Sequence, residues 1–329
     1  MARPTLTRIR RAGPRFSSEV GVAPGARAAE LQTDDLTWIH VEHPGEPDVN
    51  GLAARFGFHE LDVEDILSRH QRPKIDEYPN YLFVVLHFPK YDKSIQRLNG
   101  AELDMFLGPD FLITLPNEEL LPVSRLFARC QTDDELRAEL FSNGSGYLLY
   151  HVLDDLFDYC FPILDKMGHK LDAIEDEMFE GRSEEIVRDI SNAKQEVIAY
   201  RKIIKPGRST LRLLDRQTQR FLPEDLEIYF DDIVDANERV WDILDNYKEV
   251  VDALESTNES VISQRQNQVS RILTLIATVI LPLTLITSAF GMNVLFPGEG
   301  TRAAFWVIIG VLVASVLGML SFLRWRKLL

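Results

Sequence analysis

The chain has 329 residues, room for one sizeable domain plus smaller parts, and a formal charge of −15 at pH 7. Such an acidic chain lacks the basic patch that nucleic-acid binding calls for, so no nucleic-acid partner is expected. Its two cysteines, Cys130 and Cys160, have neither metal-ligand spacing nor a disulfide pattern, which points to a reducing compartment.

Residues 1–18 are acid-free and carry Arg3, Arg8, Arg10, Arg11 and Arg15. No apolar core segment follows them, so residues 1–30 are expected to be a flexible basic tail rather than a signal peptide, with an organellar transit peptide as the alternative. From Leu36 the pattern is globular. Residues 36–41 alternate and stop at Pro44-Gly45, which predicts a strand. Residues 48–56 and 61–68 predict short helices, with Asp62, Glu64 and Asp65 placed to complement the helix dipole. Residues 81–88 form a continuous aromatic and β-branched run, the pattern of a buried central strand. Strands are predicted at 102–107 and 111–115 around a Gly108-Pro109-Asp110 turn. Residues 31–145 therefore read as an α/β cytoplasmic domain.

Residues 147–180 place apolar side chains at spacings of three and four, and Gly181 breaks the pattern. A second helix runs from Ser183 toward Phe221 with a bend expected at Pro206-Gly207, so residues 146–222 predict an antiparallel helical pair. From Pro223 no proline or glycine occurs until Pro282. Ile233, Val240, Tyr247, Leu254 and Val261 recur every seven residues, Leu244 and Val251 fill alternate seam positions, and Asn237 and Asn258 interrupt the seam. This heptad pattern predicts a stalk helix. Its seam fits helices packed around a shared axis and, equally, a bundle within one chain.

The stalk continues into an apolar stretch, so residues 223–292 are read as stalk helix plus first transmembrane span. Residues 293–302 form an outer loop, residues 303–323 a second span, and residues 324–329 a basic tail. Arg265 and Arg271 precede the first span, and Arg324, Arg326 and Lys327 after the second are expected to form a basic ring on the inner side. The loop holds only Glu299 and Arg302, and Glu299 is positioned to attract cations there. The positive-inside rule puts both termini in the cytoplasm of a multi-pass protein of the cell inner membrane, its spans in contact with the lipid bilayer.

One face of the first span carries Ser270, Thr274, Ala277, Leu281, Thr284 and Ser288. Small and hydroxyl residues let helices pack closely. In an oligomer they can equally line a pore, with Leu281 as an apolar constriction that gates by dewetting. The span ends on Gly291, Met292 and Asn293. Copies of Asn293 around an axis would present neutral amide oxygens to a hydrated Mg²⁺, an ion that dehydrates reluctantly.

These pieces resemble the CorA-type divalent metal ion transporters. The Gly-Met-Asn at residues 291–293, the residues Glu64-Asp65-Ile66-Leu67, the segment His70-Gln71-Arg72-Pro73-Lys74, Tyr147-Leu148-Leu149-Tyr150, Arg201-Lys202 with Pro206, and residues 267–293 carry the resemblance. It implies a funnel-shaped homopentamer in which Gly291, Met292 and Asn293 form the selectivity filter. It implies that Asn267, Leu273, Leu281, Thr284 and Ser288 line or gate the path beside Ser270, Thr274 and Ala277. Asp65 and Asp232 would bind a regulatory Mg²⁺ between protomers, and its loss would favour conducting states. No other cofactor is implied. Three features depart from the family pattern: the loop reads Phe296-Pro297-Gly298-Glu299-Gly300, Leu281 and Ser288 stand where methionine and glycine are common, and Phe290 replaces a tyrosine.

The expected function is a passive, membrane-potential-driven Mg²⁺ channel, with Co²⁺ and Ni²⁺ as candidate further cargo. A zinc transporter of the same superfamily, proton-coupled or not, is the alternative. From another class comes a non-transporting membrane-anchored adaptor or sensor. An enzyme is not expected: the seven histidines are scattered, no Ser/His/Asp or Cys/His arrangement is visible, and no phosphate-binding glycine loop is present.

Overall fold

The computed structural model describes residues 28–33, 35–68, 71–92, 97–178, 183–218, 228–291 and 302–325. The chain divides into two compact units, Met1–Glu255 and Ser256–Leu329.

The first unit opens with strands β1 (Ala28–Gln32) and β2 (Thr37–Val41), helices α1 (Glu46–Phe56) and α2 (Glu60–Ser68), and strands β3 (Lys74–Glu77), β4 (Leu82–Asp92), β5 (Arg97–Leu107) and β6 (Phe111–Pro116). The six strands form one sheet in the order β1-β2-β6-β5-β4-β3. Only the β2–β6 pairing is parallel; the other four are antiparallel. Residues 28–30, expected in the basic tail, instead belong to β1 and pair with β2, and residues 1–27 lie outside the described residues. β4 lies next to the sheet edge rather than at its centre.

The apolar run of β4 is continuous because both of its faces are covered. Leu82, Val84, Leu86 and Phe88 join the larger core, together with residues of α3 (Leu121–Thr132) and of α5 (Gly144–Met178). Phe83 and Val85 point the other way and pack with Val49 and Leu52 of α1 and Ile66 of α2. α1 ends at Gly57, whose φ of 74° closes the helix in the left-handed region that glycine adopts without a Cβ penalty. α4 (Asp134–Ser142) starts on Asp133, whose side chain accepts from the backbone N–H groups of Glu135 and Leu136.

Three long helices complete the unit: α5, α6 (Ser183–Thr218) and the first part of α7 (Ile228–Phe290). α6 continues unbroken through Pro206. The Tyr200 hydroxyl donates to the Cys160 carbonyl at 3.2 Å and Lys170 pairs with Glu196 at 2.9 Å, so α5 and α6 run antiparallel. Arg201–Asp245 at 2.5 Å, Lys194–Glu255 at 2.6 Å and the Arg208–Glu238 pair set α7 antiparallel to α6. Arg201 and Arg208 also flank the Trp241 ring, 4.4 and 4.9 Å from its centroid. α5 and α7 approach closely at Gly168, where an added Cβ would lie 2.5 Å from the Tyr247 hydroxyl oxygen.

The heptad seam is resolved by this packing. Ile233, Val240, Leu244, Val251 and Leu254 are buried in the same core as Leu164, Leu171, Val197 and Ile204 of α5 and α6. Up to Leu254 the seam therefore serves a bundle within one chain, and packing around a shared axis is not what buries it. Both cysteines are free and buried.

Candidate functional site

In the second unit, α7 continues to Phe290 and α8 covers Arg302–Trp325. Both helices have a stretch long and apolar enough to cross a membrane. Arg324 is exposed near the end of α8. Gly291 follows α7, its N–H bonded to the Thr287 carbonyl at 2.9 Å. Met292, Asn293, Glu299, Arg326 and Lys327 lie outside the described residues.

The predicted lining positions Asn267, Ser270, Leu273, Thr274, Ala277, Leu281, Thr284 and Ser288 are all exposed along α7. Leu281 is 68% exposed. α8 lies against a different side of the helix. A groove of about 430 Å³ is lined by Leu283 and Thr287 of α7 and by Leu312, Val313, Val316 and Leu317 of α8. At about 100° per residue, Leu283 and Thr287 stand roughly 120° around α7 from the stripe that Ser270, Leu281 and Ser288 define. The stripe is thus a separate, uncovered face.

Its chemistry is one-sided. Thr274 donates its hydroxyl to the Ser270 carbonyl at 2.8 Å, and Thr284 donates to the Ile280 carbonyl at 2.9 Å. A hydroxyl has one hydrogen and two acceptor lone pairs. With the hydrogen committed to the helix backbone, the oxygen offers only lone pairs outward. Such a surface suits the water shell of a cation, whose hydrogens point away from the ion.

The predicted regulatory acids lie in the first unit and differ in their surroundings. Asp232 is exposed on α7. Asp154 on α5 is pushed up from the ordinary 3.8 to about 6, first by burial and then by Asp158, Asp232 and Asp155. Asp65 on α2 is already engaged, because its Oδ2 accepts from the Lys74 ammonium at 2.5 Å. Lys74 also bonds Asp76 and lies over the Phe83 ring at 5.3 Å. Among the described residues no three His, Cys, Asp or Glu side chains converge as a metal-holding set, so Asp65 and Asp232 are not brought together as one within the chain.

Sequence patterns did not reveal the carboxyls around Asp65. Asp62 is not a dipole partner in solvent; it is buried and accepts from the Tyr78 and Tyr81 hydroxyls at 2.9 and 2.8 Å. Asp104 on β5 is 1% exposed, and its Oδ1 has no hydrogen-bond partner. Burial, followed by the nearby Glu102 and Asp65, holds the Asp104 carboxyl well above the usual carboxylate range. The visible signal was Asp104 and Glu102 at alternate positions of an apolar strand.

An α/β soluble unit followed by a long helix and a C-terminal apolar helix, with an uncovered stripe of acceptors on the long one, defines a membrane transport protein rather than an enzyme. The sequence matches the family described as CorA-like Mg²⁺ transporter protein over residues 33–325, and the chain belongs to that family. It is 29% identical over 293 residues to the cobalt/magnesium transport protein CorA of Thermotoga maritima, covering 88% of this chain and 83% of that protein. It is 27% identical over 294 residues to a putative metal ion transporter, YfjQ, of Bacillus subtilis, covering 88% and 89%. The fold resembles that of the CorA magnesium transporter from Methanocaldococcus jannaschii with a TM-score of 0.78, at 21% identity, over 90% of this chain and 93% of that one.

Proposed function

We propose that this chain forms a homopentameric channel for Mg²⁺, with Co²⁺ and Ni²⁺ as further cargo, in the cell inner membrane with both termini in the cytoplasm. The observation that carries the reading is the uncovered acceptor stripe on α7. Among the described residues one chain has two helices apolar and long enough to span, too few to enclose a path, so the stripe needs copies of itself around an axis. In that arrangement Asn293, with Gly291 and Met292, forms the filter, and Leu281 is the apolar constriction. The segments at 31–145 and 146–222 carry the sensing part, with Mg²⁺ held between Asp65 and Asp232 of neighbouring copies. Its loss lets like charges repel and shifts the population toward conducting states. No nucleotide hydrolysis is required. An inside-negative potential of 100 mV favours entry of a divalent ion by about 4.6 kcal/mol, twice the single-charge value.

The test is flux into liposomes holding a Mg²⁺-sensitive dye, under a potassium diffusion potential and without ATP or a proton gradient. Mg²⁺ entry that depends on the potential and is lost in Asn293→Ala supports the channel. Entry of Zn²⁺ alone, driven by a pH gradient, overturns it. Indifference to Asn293→Ala argues instead for an anchored sensor.

A further inference from the structure

Lys74 is the first residue of a short edge strand, and its side chain reaches back across the sheet edge to α2. It is about one-third exposed, with side-chain accessibility of 30%, against 20% for Asp65. It bonds Asp65 and Asp76 together, and β3 holds its backbone by pairing Lys74 with Val85 of β4. Its ammonium lies over the ring of Phe83, a fully buried residue of that same strand, 5.3 Å from the centroid. Behind it stand Asp104, with an unpartnered buried oxygen, and Glu102, whose Oε1 is likewise buried and unpartnered while Oε2 accepts from the Gln71 N–H at 3.1 Å. A single ammonium is thus placed beside a group of carboxyls, held by the Phe83 ring and shared between two acids.

An ammonium 2.5 Å from Asp65 Oδ2 occupies the space on that side of the carboxylate that a divalent ion or its inner water would take. Two cations on one carboxylate repel, and a divalent ion feels twice the repulsion of a monovalent one. Entry of the ion therefore requires Lys74 to move off Asp65, and Asp76 is positioned to receive it.

We propose that Lys74 is a tethered cation that competes with a divalent cation for Asp65 and so sets the concentration at which the regulatory site fills. This rests on the reading of Asp65 as a regulatory ligand. Lys74 acts through Asp65 and is a positioning residue, not a ligand. Two substitutions move the competition in opposite directions. Lys74→Met keeps an unbranched stem of similar length and removes the charge, freeing Asp65. Asp76→Asn removes the alternative partner and leaves Lys74 to Asp65.

The experiment uses the full chain in nanodiscs, titrated with Mg²⁺ while protection of the soluble unit from limited proteolysis is followed. Melting in EDTA is measured alongside, so that loss of fold is separated from loss of binding. Lys74→Met is expected to lower the half-protecting Mg²⁺ concentration roughly three- to tenfold, and Asp76→Asn to raise it by a similar or smaller factor. Lys74→Arg, which keeps the charge, is expected to stay near wild type. If Asp65→Asn abolishes the Mg²⁺ response while Lys74→Met leaves the midpoint unchanged or raises it, the competition is overturned and the regulatory reading stands. If Asp65→Asn leaves the response intact, the regulatory reading fails and takes this inference with it.

Discussion

One helix, α7, meets two environments. Over residues 228–255 it buries a seam of Ile233, Val240, Leu244, Val251 and Leu254 in the core of its own chain. Over residues 256–290 it leaves leucines, isoleucines and hydroxyl residues exposed, apart from the groove it shares with α8. The periodicity hardly changes between the two stretches, yet the partner does. A repeat every three and four residues tells which face is satisfied; it does not tell whether the satisfying surface is the same chain, another copy or lipid. Among the described residues the first stretch has its seam buried within the chain, whereas the second meets only α8, and on one side. That difference makes α7 a structural member at one end and a candidate conduit wall at the other.

The sharpest way to break this comparison is to place a charge in each stretch. Val240 is 0% exposed, so Val240→Asp is expected to cost about 3–5 kcal/mol and to abolish cooperative unfolding of the first unit in urea. A uniform, partner-free α7 would tolerate it. Leu244→Ala is the milder version, costing about 2–5 kcal/mol through the cavity left among α5 and α6, read from the same urea midpoint. In the second stretch the expected signature reverses. Leu281→Ser should leave the unfolding of the first unit unchanged and raise resting Mg²⁺ entry into liposomes severalfold, because a hydroxyl in place of an apolar constriction admits water. A stability loss without a flux change would place Leu281 in packing and not in a gate.

Two smaller effects sharpen the first stretch. Gly168→Ala should destabilise by about 1–2 kcal/mol, since the new methyl meets the Tyr247 hydroxyl, and Tyr247→Phe should recover part of that loss in a double-mutant cycle. Asp154 supplies a pH-dependent counterpart. Its folded-state value of about 6 exceeds the ordinary 3.8, so the folded unit gives up that proton later than the unfolded chain. Below 3.8 both states are protonated and nothing is gained or lost. As pH rises from 3.8 to about 6 a penalty on folding builds up, and it is complete above that. Asp154→Asn in EDTA should therefore stabilise the unit at pH 7.5, by about 1 kcal/mol once solvent screening is allowed for, and should give no gain at pH 3.5. Thermal melts at the two values check it.

Much of this architecture was legible in the residues. The interior strands announced themselves because both faces are covered, and the long helices because their apolar spacing persists for many turns. The strands that no pattern suggested, β1 and β3, are the two edges of the sheet. Edge strands bury less and carry charge, as Lys74, Asp76 and Glu77 do in β3, so they lack the apolar alternation that betrays a strand. α3 did carry a signal, with Val123, Leu126, Phe127 and Cys130 at helical spacing and all buried. The candidate site was half legible. The stripe on α7 is local and follows from periodicity. The ion pair of Lys74 with Asp65 joins α2 to an unrecognised edge strand, and Asp154 meets Asp232 only because α5 and α7 lie side by side. Contacts of that kind depend on tertiary packing, which a linear pattern does not encode.

The back-bonded threonines of α7 bear on which sign of charge that face accommodates. Chloride is held by hydrogen-bond donors, and Thr274 and Thr284 have turned theirs into the helix. These two hydroxyls can accept from the water shell of a cation and have no hydrogen left for an anion, so they discriminate by sign of charge without any fixed negative charge.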